Sequence, residues 1–318
     1  MTFDPDAKRV VDTDWSSENY IDRVDELEQW AKDIGAIKRL TGRFLAYKTS
    51  FQDHINWLSR SDQAQYPHTD MVRILNAKLE VHEVDRVKRA FLDRPFPSLK
   101  SRIRTVLAGP EHYRDEQKEN VATQKARNAL VELATGAYLI AEGHTVLYGG
   151  PDYPEPMLRF KGKHFAFQCK RISSNNRQTI DKKIKRASEQ ILENIRVHSG
   201  VCSTGVILLD ITKLVNPQGM VLMLRRVEDM EHSQARYDML RFYDKFVAGL
   251  DFKKHDHVSQ IIVTSSFLTT QDSTRPNESY YSYKMMMNHP NFYESFASGG
   301  SNSISKSLLP ETMLDSET

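Results

Sequence analysis

The sequence predicts an α/β sandwich behind an all-helical N-terminal domain. Three observations carry this. Residues 18 to 107 repeat apolar side chains at helical spacing, with no stretch that alternates like a strand. From residue 125 onward the pattern changes to helix, short strand, hairpin, helix, strand, helix and strand, which is how a sheet covered by helices is written. Residues 205 to 211 read GVILLDI, nearly continuous apolar chain of the kind a strand buried on both faces needs.

Taken in order, residues 1–14 read as disordered and 15–109 as the helical domain. Ile21, Val24, Leu27, Trp30, Ile34, Ile37, Leu40 and Phe44 give the helical period, with Gly35 and Gly42 as interruptions. Ile74, Leu75, Leu79, Val81, Val84, Val87 and Ala90 mark a further helix over 71 to 92. Arg94-Pro95-Phe96-Pro97 breaks it. Helix resumes over 100 to 107, with Lys100, Arg102 and Arg104 expected on the exposed side. Gly109-Pro110 is the expected boundary to a second domain, 110–296. Residues 297–318 are Ser- and Gly-rich, end acidic and read as a mobile tail. The helical domain shows no helix-turn-helix or zinc signature. DNA binding, dimerisation, sensing of a partner protein and simple capping of the core all fit it.

In the second domain, winding residues 125 to 141 at 3.6 per turn buries Ala126, Ala129, Leu130, Leu133, Ala137 and Ile140. Glu132 falls at the margin of that face. Ala129 and Gly136 flank it and leave room for another element to approach closely. Gly143 ends the helix, and 144 to 148 form a short strand that delivers Gly149-Gly150-Pro151-Asp152. Residues 157 to 160 and 164 to 170 form a hairpin around Lys161-Gly162-Lys163. Alternation sends Phe165, Phe167 and Cys169 into one core and His164, Ala166, Gln168 and Lys170 to the other face. Gln168 and Lys170 are then neighbours, roughly 6–7 Å apart along the strand.

Beyond the hairpin, Ile180, Ile184, Ala187, Ile191 and Ile195 define a helix over 179 to 195, with Lys182, Lys183, Lys185 and Arg186 on its other faces. Residues 220 to 249 read as one long charged helix through Leu222, Leu224, Val227, Met230, Tyr237, Leu240, Phe242 and Phe246. A strand follows over 260 to 268. Met285-Met286-Met287 suits irregular core packing. His255-Asp256-His257 has metal-ligand residue types but lies in a charged loop.

A carboxylate at 132, a carboxylate at 152, an amide oxygen at 168 and an ammonium at 170 make up the parts of a Mg²⁺-dependent phosphodiesterase site. Such chemistry needs a cation, oxygen ligands and a positive group beside the attacking water. The order Glu132, Pro151-Asp152, Gln168-Cys169-Lys170 resembles the PD-(D/E)XK nuclease superfamily. The string Gln168-Cys169-Lys170-Arg171 is similar to its Mrr-like branch, in which glutamine replaces the acidic residue before x-Lys. The resemblance spans residues 118 to 215.

It implies a restriction-endonuclease-like αβα core with a mixed central sheet. It also implies Mg²⁺ or Mn²⁺ held by Asp152, Gln168, the Cys169 backbone carbonyl and Glu132, with Lys170 as the catalytic lysine. Gln190, on the following helix, is a further contributor on the same grounds. The implied activity is DNA endonuclease, in restriction, phage defence or repair. An RNA-directed nuclease and a catalytically silent nucleic-acid-binding or assembly module are the alternatives. Gln168 brings no charge, so two formal negative charges rather than three face the cation; weaker metal binding and one ion rather than two are expected. Arg171, Lys182, Lys183 and Arg186 are candidate phosphate contacts, or else an edge cover and a solvated helix face.

Whole-chain properties bound these readings. The 318 residues suffice for two compact units. A net charge of only +2 excludes a histone-like binder, so any nucleic-acid surface must be local. Two cysteines argue for a reducing, cytoplasmic setting without a disulfide framework. No apolar run reaches the ~18 residues of a membrane span, and the acidic start is not a signal peptide. There is no P-loop, so an ATP-driven step would need another chain. Cutting both strands of a duplex would favour a homodimer.

Overall fold

The structure, a computed structural model, describes residues 17–39, 41–59, 68–93, 95–109, 121–141, 145–148, 157–160, 163–197, 202–216, 221–223, 233–250, 255, 257–270 and 281–287. The protein is mixed α/β. Helices α1 (Ser17–Asp33), α2 (Gly42–Leu58), α3 (His68–Phe91) and α4 (Leu99–Ala108) precede α5 (Val121–Ala141). Then come β1 (Thr145–Leu147), β2 (Met157–Phe160), β3 (Lys163–Arg171) and α6 (Arg177–Val197). The chain continues with β4 (Cys202–Asp210), α7 (Thr212–Val215), β5 (Val221–Met223), α8 (Gln234–Phe246), β6 (Val258–Thr270) and β7 (Tyr281–Met287).

Local chemistry sets the ends of these elements. α1 buries Tyr20, Val24, Leu27 and Ala31 at helical spacing, and it stops at Gly35, whose φ of +68° suits a residue without a Cβ. Thr41 caps α2, and Asn176 caps α6 by accepting from Thr179 N at 3.1 Å. Ser233 accepts from Arg236 N at 3.2 Å and starts α8 there. This corrects the single helix expected over 220 to 249. Val221–Met223 pairs as a strand with β6, and the helix begins only after the Ser233 cap. Leu224, Val227 and Met230 lie outside the described residues.

The sheet runs β1-β2-β3-β4-β6-β5, with β7 also paired to β6. β1, β2 and β3 are antiparallel neighbours, and β6 and β7 are antiparallel; β3, β4, β6 and β5 are parallel. Crossover helices between parallel strands cover the faces, as such strands require. Ile180, Ile184, Ala187 and Ile191 of α6 pack with Ala166, Ile207 and Leu209 on one face. Val131 and Leu139 of α5 pack with Phe165, Phe167, Cys169, Val206, Leu208 and Ile262 on the other.

α5 has a second buried side. Leu130, Leu133, Ala134 and Ala137 join one apolar cluster with Phe44, Phe51, Val81, Phe91 and Ile103 of the preceding helices. Gly109–Pro110 therefore divides the chain in sequence, while the core runs continuously across that point. The calls for residues 1–14 and 297–318 lie outside the described residues. Among the described residues no helix is long and apolar enough to cross a membrane.

α3 is buried on all sides through its middle. Asn76, Lys78, Glu80, His82, Glu83, Asp85 and Arg86 are buried alongside Ile74, Val81, Val84 and Val87. Burial of this much charge is tolerable only with partners. Glu80 has Arg43, at 2.9 to 3.1 Å, and the Tyr47 hydroxyl. Burial pushes the Glu80 carboxyl up, against the opposing pull of the Arg43, Arg127 and Arg171 guanidiniums.

Candidate active site

β3 delivers the first part of the site. Its side chains alternate as the hairpin pattern predicts: Phe165, Phe167 and Cys169 face α5, and Ala166 faces α6. Gln168 and Lys170 share the Ala166 face by the same alternation. Lys170 Nζ donates to Gln168 Oε1 at 2.9 Å. Gln168 is fully buried and Lys170 half-buried. Only the amide oxygen can accept from an ammonium, so Gln168 Oε1 is aimed at a cation. Gln168 Nε2 is buried and meets no acceptor among the described residues.

Met157 pairs with Ala166 and is the first described residue on that side, residues 149–156 lying outside the described residues; β3 continues through Arg171. Ile172 N donates to Asp210 O at 2.7 Å. By alternation, the N–H and C=O of Cys169 point away from β4, toward the β2 side of the strand. Leu147 pairs with Met157, so β1 and β2 are joined at this same end of the sheet, between Tyr148 and Met157. Asp152 belongs to that connection and lies outside the described residues, as does Gly143.

Glu132 comes from α5, which covers the face of β3 opposite to Gln168. It is buried, and Arg102 Nη1 of α4 donates to its carboxylate. Arg102 is therefore not the exposed residue its helical neighbourhood suggested; Lys100 and Arg104 are exposed as expected. Tyr148 Oη donates to Glu132 O at 3.2 Å. The space beside Glu132 thus receives the end of β1. A Cβ on residue 136 would come within 2.8 Å of Tyr148 Cζ and closer still to its hydroxyl. Gly136→Ala is expected to cost about 1–3 kcal/mol by overpacking, read as a lower urea midpoint at unchanged slope. Tyr148→Phe, which removes one hydrogen bond, should cost only about 1 kcal/mol.

The structure thus brings Gln168 and Lys170 together and sets Glu132 on the other helix layer, at the same end of the sheet, ion-paired to Arg102. Of the candidate phosphate contacts, Lys182 and Arg186 are exposed on α6. Lys183 is tied down, its Nζ donating to Arg171 O at 2.5 Å. Arg171 is buried on the α5 side, within electrostatic reach of Glu80. Gln190 is half-buried, and its side-chain oxygen meets no donor among the described residues.

The donor set suits a hard cation in type, being amide, carbonyl and carboxylate oxygen. Among the described residues no three His, Cys, Asp or Glu side chains gather as a metal site. His255 Nδ1 and His257 Nε2 both converge on Ser188 Oγ, at 2.7 and 2.8 Å, and so fasten α6 to the start of β6; Asp256 lies outside the described residues. Asp210 Oδ1 accepts from Thr212 N at 2.8 Å at the start of α7. Cys169 and Cys202 are both buried and free of disulfide. Burial raises the Cys202 thiol, against backbone hydrogen bonds at Thr204 and Ala166, so it is a packing residue rather than a nucleophile. No family model, curated protein or solved structure matches the chain.

Proposed function

We propose that the protein is a Mg²⁺- or Mn²⁺-dependent nuclease, with DNA as substrate, of the PD-(D/E)XK kind that the sequence resembles. The observation that carries this is the Gln168–Lys170 contact on β3. An amide oxygen and an ammonium sit side by side there, at the end of the sheet from which the chain runs toward Asp152.

In this reading Gln168 Oε1, the Cys169 carbonyl, Asp152 and Glu132 are the ligands. A bound divalent ion would supply Lewis-acid polarisation of the phosphate and a more acidic water. Lys170 offsets the negative charge that grows on the phosphate oxygens during in-line attack. Its ammonium stands 2.9 Å from Gln168 Oε1, beside the position that the ion would take. Glu132 would have to join the site from the other face of β3; Tyr148, whose hydroxyl donates to Glu132 O, leads into the chain that carries Asp152.

Lys182 and Arg186, four apart on α6, present positive charge outside the i,i+4 pairs Arg177–Asp181 and Lys185–Glu189. Replacing both with Gln is expected to weaken DNA binding and to lower the slope of log affinity against log salt by about 1 per charge removed. Binding titrations at several salt concentrations would show this; an unchanged slope would remove α6 from the DNA surface.

The decisive test is divalent-dependent nicking of supercoiled plasmid, with Lys170→Met as the comparison and RNA digested in parallel. One observation favours a second reading. Glu132 already has a cation in Arg102 and lies across the sheet from Gln168, which suits a nucleic-acid-binding module that kept the fold without cleavage. Binding by both proteins with cleavage by neither would select that reading.

A further inference from the structure

We infer that the helical segment carries a docking surface for the phosphate backbone of nucleic acid, made by Lys38 and Arg39 after α1 and by Lys100 and Arg104 on α4. The choice of nucleic acid among polyanions rests on the nuclease reading. The surface itself does not.

All four side chains are exposed. Lys100 and Arg104 stand one helical turn apart on α4 and meet the same turn of chain. Arg104 Nε donates to Ala36 O at 3.1 Å and its Nη2 to Gly35 O at 3.4 Å. Lys100 Nζ lies 3.0 Å from where a Cβ on residue 35 would be. Lys38 and Arg39 follow directly in that chain, so the four cations gather around one turn. Among the described residues none of the four meets a carboxylate, whereas other cations of this segment do. Lys32 pairs with Glu28 at 2.5 Å, Arg73 with Asp53 at 3.1 Å, Lys88 with Glu26 at 3.3 Å and Arg89 with Asp85 at 2.9 Å. Asp33, the acid nearest in the chain, accepts from Gln29 Nε2 at 2.7 Å. Like charges gathered without counter-charge repel one another, and a polyanion relieves that repulsion while releasing its own condensed counterions. A lipid surface is less suited, because Ile34 and Ile37 beside these cations are partly buried against the helical core and Ile103 is buried, which leaves no apolar face to insert. On the opposite side of α4, two residues from each of its two cations, Arg102 is bonded to Glu132 of α5. The surface therefore sits on a helix fastened to the one that covers β3.

The test is fluorescence anisotropy of a short labelled DNA duplex titrated with the full chain at several salt concentrations, in EDTA so that nothing is cleaved. Replacing all four cations with Gln should lower the slope of log affinity against log salt by about 2–4. Lys38→Gln with Arg39→Gln removes two charges that hold no partner in the fold, so this pair carries the test should the fourfold variant not fold; its slope should fall by about 1–2. Arg73→Gln, whose cation is already paired with Asp53, should leave the slope unchanged. An unchanged slope in the cation variants, with binding and cleavage by wild type intact, would overturn the surface and leave the nuclease reading standing. A lowered slope with no cleavage by wild type in Mg²⁺ or Mn²⁺ would support the surface and remove the nuclease reading. Wild type that ignores the duplex yet binds polyglutamate or phosphatidylserine vesicles through the same cations would overturn the choice of nucleic acid, and failure to bind any of the three would overturn the surface.

Discussion

Lys170→Met should lower divalent-dependent cleavage by about 10²–10³-fold, the range found when one preorganised donor to a developing oxyanion is removed. Methionine keeps the length and most of the apolar stem of lysine. The stem of Lys170 is half-buried against a sheet face that continues into Ala166, Ile207 and Leu209. What the change removes is the ammonium that donates to Gln168 Oε1. Gln168 is fully buried, so its oxygen would then lack that donor, at a cost of about 1–3 kcal/mol. A modest fall in the unfolding midpoint should therefore accompany the loss of activity. Binding of uncleaved DNA should change little, because one charge is a small part of a phosphate-tracking surface. Loss of binding in step with cleavage would instead give Lys170 a role in holding DNA. Unaltered cleavage would remove it from the chemistry.

The elements of this site differ in how plainly the sequence shows them, and the differences have physical causes. The β3 faces are legible because alternation is a local rule: Phe165, Phe167 and Cys169 against Gln168 and Lys170 needs only the residues themselves. The space at Gly136 is legible as space, and Tyr148 fills it. The sheet-facing side of α5 is not. A 3.6-residue period reveals one apolar stripe, whereas Val131 and Leu139 face the sheet while Leu130 and Leu133 face the helices. A helix packed between two layers shows an apolar surround that resembles a weak single stripe.

Arg102 was hidden for another reason. Its neighbours Lys100 and Arg104 are solvated, and nothing within one helical turn signals that the cation between them has a partner 30 residues away. The α3 charges are the extreme case. A run such as Lys78-Leu79-Glu80-Val81-His82-Glu83-Val84-Asp85-Arg86 reads as one wet face and one dry face, yet every one of these residues is buried. Tertiary pairing overrides the local pattern there, since each buried charge can be stabilised by chain far away.

Glu80→Ala should be the most destabilising single change, at about 3–5 kcal/mol, because it strands a buried guanidinium. Arg43 and Glu80 are each 2% exposed. Arg43 Nε and Nη2 reach both carboxylate oxygens at 3.0 to 3.1 Å, and its Nη1 donates to Val106 O of α4. The Tyr47 hydroxyl donates to the same carboxylate. Arg127 of α5 and Arg171 at the end of β3 also act on Glu80 electrostatically, so one carboxylate serves three guanidiniums from three elements. Alanine would leave that positive charge in a poorly solvated interior, where it is far more costly than at the surface. Most of the loss should therefore reflect the abandoned arginine rather than the intrinsic strength of the pair. That distinction can be measured. Arg43→Met with Glu80→Leu removes both charges at similar volume, and it should recover a large part of what Glu80→Ala loses. Urea unfolding of the two single variants and the double variant gives the coupling directly. If the double variant were as unstable as the sum of the singles, the two side chains would be acting independently and the hub would not exist. Recovery incomplete by an amount that Arg171→Met then supplies would trace the remaining strain to the strand that carries Lys170, making α3 a support of the candidate site as well as of the core.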